Sequence, residues 1–253
     1  VQTCALPIFQ LGLAAFINRL GSAVLDLYDH WLRLKLAFLN TPIGSVSCGP
    51  RDFWPANLAQ GRAILSGNFV LNGGKISIGP EGNPWAMASP NRQFASDLHG
   101  FGWLGGLVVQ GPEGCDRALR LVLRWHREFG RYNSFSWDRP ILERRVYALA
   151  CHLRTLAQIA SDREVATLTR SLLRQGYYLL GAGSSRRPER AAICALSGCV
   201  LKGPVAERLR IRALKSLVKS LPKAVLPDGG HISRSPEAAL DLLQLLLSLD
   251  DGF

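Results

Sequence analysis

Residues 161–180 read SDREVATLTRSLLRQGYYLL, and the reading of this stretch decides the fold class. Ser161 followed three positions later by Glu164 is a candidate capping box, in which each side chain satisfies a backbone N–H that the first helical turn leaves open. It starts a helix expected over Arg163 to Leu180. Outward from it the same grammar repeats. Helices are expected over Asp116 to Phe129 and Pro140 to Ala160 on one side, and over Pro188 to Leu201, Pro204 to Leu221 and Pro236 to Leu249 on the other. Ser235 before Pro236 gives an N-cap followed by proline at the first helical position, where its missing N–H has no partner to lose. Gly203-Pro204 and Leu226-Pro-Asp-Gly-Gly230 are the stops. Breaks this short make successive helices antiparallel neighbours. No fixed sequence period recurs, so the repeating unit is the helix pair and not a short-motif solenoid. The fold class is mainly α, and the pattern fits an incomplete toroid of antiparallel pairs or an open bundle.

Towards the N-terminus, residues 10 to 38 place apolar side chains at helical spacing with Arg19, Asp26, Asp29 and Arg33 between them, which suits an amphipathic helix. From Thr41 to Gly111 the chain turns rich in Gly, Pro, Asn and Ser and is expected to hold little helix. Inside that excursion, Ala63 to Phe69 and Gly74 to Ile78 flank Leu71-Asn-Gly-Gly74 and read as a β-hairpin. Residues 10–253 are therefore expected to form one helical domain. The chain starts at Val1, its single methionine is Met87, and Val1-Gln-Thr-Cys-Ala-Leu-Pro-Ile8 resembles translated adapter sequence, so residues 1–9 are read as a non-native start of a fragment.

Composition narrows the class further. Of 253 residues, 47% are hydrophobic, enough to bury a substantial core. Thirty Lys and Arg against nineteen Asp and Glu give a net charge of +11, which favours a polyanionic partner: an acidic polysaccharide, a nucleic acid or a membrane surface. Arg far outnumbers Lys, so a GC-rich coding sequence explains the charge equally well. Nucleic acid is the weaker reading, because no recognised motif accompanies the charge. The six cysteines, at 4, 48, 115, 151, 194 and 199, show neither CxxC spacing nor a histidine pair suited to zinc, and no metal or other cofactor is expected. Cys115, Cys151 and Cys194 lie in apolar helical stretches and read as small reduced hydrophobes. Asn18 and Arg19 interrupt the apolar stretch from Phe9 to Phe16, and Asp241 and Gln244 interrupt the one near the C-terminus. Neither reaches the roughly twenty residues a bilayer crossing needs.

Three segments carry a resemblance. Asp97-Leu-His-Gly-Phe-Gly-Trp-Leu104, Ser134-Phe-Ser-Trp-Asp-Arg139 and Leu226-Pro-Asp-Gly-Gly-His-Ile-Ser-Arg-Ser-Pro236 resemble the N-terminal part of bacterial heparinase II/III-like proteins, over roughly residues 50 to 250. The resemblance implies an incomplete α/α toroid, a β-sandwich beyond the present chain, and β-elimination on a uronate-containing acidic polysaccharide in the periplasm or outside the cell. Such a reaction needs the uronate carboxylate neutralised, a base at C5 and a proton for the departing oxygen. By its motif neighbourhood, His231 falls where the family places a carboxylate-neutralising or proton-transferring residue. None of the tyrosines, at 28, 132, 147, 177 and 178, lies downstream of it, so this fragment alone is expected to be inactive. A non-catalytic glycan-binding or scaffolding protein with a degenerate lyase fold is the alternative.

The other candidates each have a plain structural reading beside the functional one. Arg234 can grip a carboxylate bidentately or pair with Asp228 or Glu237. Asp228 reads as a turn-former. Trp103, Trp137 and Phe101 can stack on sugar rings or pack in the core. His99, in a Gly-rich aromatic loop, and Arg139, at a helix start, are further substrate-contact candidates. His30, His126 and His152 fall within helices and read as structural, and the basic run Ser185-Arg-Arg-Pro-Glu-Arg190 reads as a solvated helix start.

Overall fold

The computed structural model describes residues 45–181 and 187–253, together with positions 24, 27, 30, 31 and 34. The amphipathic helix expected over residues 10–38 lies outside the described residues except at those five positions, which are helical and exposed. Residues 1–9, Ser185 and Arg186 also lie outside.

The fold is mainly α with one small antiparallel sheet. Its elements are α1 (Leu58–Leu65), β1 (Asn68–Leu71), β2 (Gly74–Ser77), α2 (Arg92–Gly100), α3 (Leu104–Val108), α4 (Pro112–Phe129), α5 (Arg139–Ala157), α6 (Asp162–Gly181), α7 (Pro188–Cys199), α8 (Pro204–Ala224) and α9 (Pro236–Asp251). Five of the last six carry proline in the first two positions; four of these starts are the expected ones to within one residue, while α4 begins at Pro112, ahead of the expected Asp116. Ser161 and Glu164 form half of the expected box: the Glu164 carboxylate accepts from the Ser161 N–H at 2.9 Å, while the Ser161 hydroxyl donates to that carboxylate at 2.7 Å instead of accepting from a backbone N–H. Ser235 caps α9 by accepting from the Ala238 N–H at 3.3 Å.

The segment between 41 and 111 departs from expectation, because it contains three helices. The reason is asparagine. Asn57 and Asn91, read as loop residues, are N-caps whose side chains accept from the Gln60 and Phe94 N–H groups and so start α1 and α2. The first strand of the hairpin is also shorter than Ala63–Phe69, since Ala63 to Leu65 end α1. Its turn is as expected. Asn72 and Gly73 both take positive φ, at 41° and 73°, which is the backbone a tight two-residue hairpin turn requires. The register pairs Phe69 with Ile76, buries both with Leu71, and leaves Val70 opposite Lys75 exposed.

Helix α7 is the hub. Arg190 through Leu201 are buried without interruption, and α5, α6, α8 and α9 all pack against it. A helix apolar all round must be central. The chain ahead of α1 is tied to this hub: the Ser47 N–H donates to the Val200 carbonyl at 2.8 Å, and Val46 bridges Leu201. That tie delivers residues 51–57 to the end of α9, where the Arg51 N–H donates to Asp251 at 2.6 Å. Among the described residues, no helix is long and apolar enough to cross a membrane.

Candidate binding cleft

Where residues 51–57 meet the α2–α3 turn, α5, the start of α7 and α9, a cleft of about 720 Å³ opens. Glycine makes one wall possible. A Cβ on Gly61 of α1 would stand 1.9 Å from the Gly106 carbonyl oxygen of α3, so the two helices cross backbone to backbone. Apolar side chains of Trp54, Ile193 and Leu245 line the cleft, and the Trp54 ring meets Tyr147 edge-on at 4.6 Å.

At the cleft wall a hydrogen-bond chain joins three elements. The Tyr147 hydroxyl donates to Asp52 Oδ1 at 3.1 Å, and lies 2.8 Å from Ser248 Oγ on α9. The other Asp52 oxygen faces His152 Nε2 at 3.2 Å, and the Trp54 N–H also donates to this carboxylate. Burial above all, then the neighbouring Cys151 and the Asp52 charge, raise the Tyr147 pKa well beyond the usual phenol range. Tyr147 therefore acts as a fixed donor and not as a base.

A second network lies at the start of α7. The Arg190 guanidinium meets Glu143 at 2.6 Å, and Arg187 lies 3.9 Å from Glu143 and 3.6 Å from Glu189. Arg144 turns away to Asp97 at 2.5 Å and Ser96 at 2.7 Å. Of the charged residues that line the cleft, four are carboxylates (Asp52, Glu143, Glu189 and Asp241) and two are guanidinium groups (Arg144 and Arg187), both already ion-paired. Asp241 is exposed, and its side chain makes no hydrogen bond or ion pair to the described residues. Burial raises the thiols of Cys151, Cys194 and Cys199, the last to about 11, so none is primed as a nucleophile. Among the described residues, no cluster of three or more His, Cys, Asp or Glu could hold a metal ion.

Of the substrate-contact candidates singled out from sequence, Phe101 lines this cleft, with its ring packed against Trp85, Trp103 and Trp125, whereas His99, Trp103, Trp137, Arg139, His231 and Arg234 do not line it. His231 meets the cleft wall through Glu189. Its Nδ1 accepts from the Ser233 N–H at 3.2 Å, which leaves Nε2–H aimed at Glu189, 3.5 Å away. Arg234 pairs with Asp228 at 2.7 Å on an exposed turn and takes a positive φ of 56°. His99, Trp103 and Trp137 are buried. The His99 Nδ1 accepts from the Trp125 indole at 2.9 Å, the Trp103 indole donates to the Leu98 carbonyl, and the Trp137 indole to the Phe129 carbonyl. Arg139 is exposed at the start of α5, its N–H donating to Asp138. What the sequence reading missed is the wall itself: Asp52, Trp54, Glu143, Tyr147, Glu189 and Asp241. One signal was available, since Glu143 and Tyr147 are four apart and share a face of α5.

Comparison with known proteins overturns the lyase resemblance. No protein-family model matches the chain, and no solved structure matches it. A curated relative is FtsZ-localized protein C of Caulobacter vibrioides (strain NA1000 / CB15N), 51% identical over 222 residues. The match takes in 87% of this chain and 38% of the relative, so the chain spans well under half of that protein's length. The relative is named for FtsZ and not for polysaccharide cleavage. The assignments as a heparinase-like lyase, as a uronate eliminase and as a binder of acidic polysaccharide are corrected accordingly, with His231 losing its assigned catalytic context. The segment that carried the resemblance has a simpler physical account. In Leu226-Pro-Asp-Gly-Gly230 the Leu226 N–H donates to the Gly230 carbonyl and the Gly229 N–H to the Leu226 carbonyl, each at 2.8 Å, closing a turn between α8 and α9. A cleft with twice as many carboxylates as guanidinium groups is also a poor receiver for a polyanion.

Proposed function

We propose that this chain is a helical binding module of a longer protein that works at FtsZ assemblies, acting by association and not by catalysis. The observation that carries this reading is the 51% identity over 222 residues to a protein named for its localisation with FtsZ. The cleft chemistry supports it: its tyrosine is held as a phenol and its guanidinium groups are paired within the protein. The antiparallel pairs from α5 to α9 would form part of an incomplete toroid, with His231 and Glu189 meeting beside the cleft.

The test is co-sedimentation of the longer protein, and of residues 1–253 alone, with assembled FtsZ, paired with imaging of a fluorescent fusion in dividing cells. Enrichment in the polymer pellet together with coincident localisation supports the reading. A longer protein that stays in the supernatant and spreads evenly through the cell sinks it.

A further inference from the structure

The cleft is at odds with the molecule around it. The whole chain carries eleven more cations than anions, yet the cleft lining reverses the sign. Arg144 is held by Asp97 and Ser96, and Arg187 lies between Glu143 and Glu189. Asp241 projects from α9 with no cation of its own among the described residues. An anionic ligand would enter against this charge. A wholly neutral one would desolvate carboxylates without compensating them. The rest of the lining is largely apolar, from Trp54 through Ile193 to Leu245, and the volume of about 720 Å³ lies within the range of small-ligand and short-peptide sites.

We propose that the cleft binds a basic, apolar peptide segment, with a cationic side chain at Asp241 and its aliphatic side chains against Trp54, Ile193 and Leu245. Charge complementarity selects the cation and the apolar lining selects a peptide over a simple polyamine, which has no side chains to bury there. The proposal is independent of FtsZ association, because it concerns which chemistry the cleft accepts.

The experiment titrates the protein into a fluorescein-labelled peptide of alternating leucine and arginine and follows anisotropy, with the leucine–glutamate counterpart and spermidine as competitors. Saturable binding of the arginine peptide is expected, with neither competitor displacing it at matched concentration. Asp241→Lys, on an exposed helical face, should weaken binding by about tenfold or more, the scale at which charge reversal acts across a partly desolvated contact. Gly102→Trp should abolish it: Gly102 lines the cleft, and a Cβ there meets nothing within 4 Å, so the indole fills the cleft without straining the fold. Unchanged far-ultraviolet circular dichroism establishes that both variants are folded. Equal binding of the glutamate peptide, displacement by spermidine, or unaltered binding in both folded variants would overturn the proposal.

Discussion

Arg144 and Arg145 are neighbours on α5 and sit in opposite worlds. Arg144 is half exposed beside the cleft and meets a carboxylate, Asp97. Arg145 is fully buried and meets none: its Nε donates to Gln175 at 2.7 Å, and its NH1 to the His99 and Ser136 carbonyls at 2.9 and 2.7 Å. Its guanidinium carbon lies 4.1 Å from the centre of the Trp125 ring. One face of the helix therefore holds charge with neutral oxygens and a π face in a closed core, while the other holds charge with opposite charge at the edge of a cavity. Neutral partners fixed by the backbone cannot rearrange for a ligand. Carboxylates at a solvent-filled cleft can, which is why binding belongs on the Arg144 face and rigidity on the Arg145 face.

The sharpest way to break this comparison is to remove Arg145. Arg145→Ala orphans the Gln175 side-chain oxygen and two carbonyls, and opens a cavity beside Trp125. The expected loss is roughly 3–5 kcal/mol, combining a large-to-small core change with buried acceptors left unpaired. It would be read as a fall in the urea midpoint at constant slope. Arg144→Ala should change stability by under about 1 kcal/mol, as exposed ion pairs do. If the two variants prove equally mild, the core does not rely on its buried guanidinium.

The same core contains a pH response. Burial first, and the Arg145 charge second, push the His99 pKa down to about 4 from 6.5. Because the folded value is the lower one, the unfolded chain takes up the proton first as pH falls. The stability is whole above pH 6.5, and is lost progressively as pH falls towards 4, by roughly 3 kcal/mol. Denaturation midpoints across that window should follow this slope in the native protein and flatten in His99→Gln, whose amide oxygen can still accept from Trp125. An unaltered slope in the variant would assign the response to other groups.

How far the sequence foretold all this depends on how local the cause is. The helices from Pro112 onward were legible because proline, glycine and capping side chains act within one turn, and the observed bounds fall within a few residues of those expected. The Asn57 and Asn91 caps used the same chemistry, but asparagine also marks loops, and with no proline in the first helical turn after either of them the loop reading won. The cleft was illegible for a different reason. Asp52, Tyr147, Glu189 and Asp241 come together only after four segments pack, and on paper each carboxylate is indistinguishable from one on a solvated helical face. The residues that did stand out looked like displayed aromatics, His99 and Trp103 in a Gly-rich run that is α2, α3 and the turn between them, and Trp137 in the link from α4 to α5; their rings build the core.

On the cleft face, Tyr147 offers a smaller perturbation. Tyr147→Phe keeps the ring against Trp54 and removes the hydroxyl that joins Asp52 to Ser248. A loss of about 1–2 kcal/mol is expected, the scale for a buried hydrogen bond with one partner deleted. In a double-mutant cycle, Ser248→Ala should couple to it by at least about 0.5 kcal/mol, as residues in one network do. Strict additivity would show that the chain from α9 to Asp52 is geometrical only.

The least effect belongs to a charge that neither core nor cleft shelters. Glu164 lies at the surface, partly covered, and its carboxylate is held below the usual range by the hydrogen bonds from Ser161, which satisfy an otherwise open N–H at the start of α6. Glu164→Ala should lower stability by about 0.5–1 kcal/mol at neutral pH, the usual worth of a helix cap. Since the folded pKa is depressed, that contribution is present above the ordinary glutamate value and fades as pH falls through the folded one. Native and variant midpoints should therefore differ at pH 7 and converge as pH falls below the ordinary glutamate range. His99 works in the opposite sense of charge, disfavouring a protonated ring where Glu164 favours an ionised carboxylate, yet both reduce stability on acidification. The magnitudes separate them: a group the protein buries shifts the balance by several times more than one it leaves in water, and a Glu164→Ala effect as large as that of His99 would contradict the division between sheltered and exposed charge along this chain.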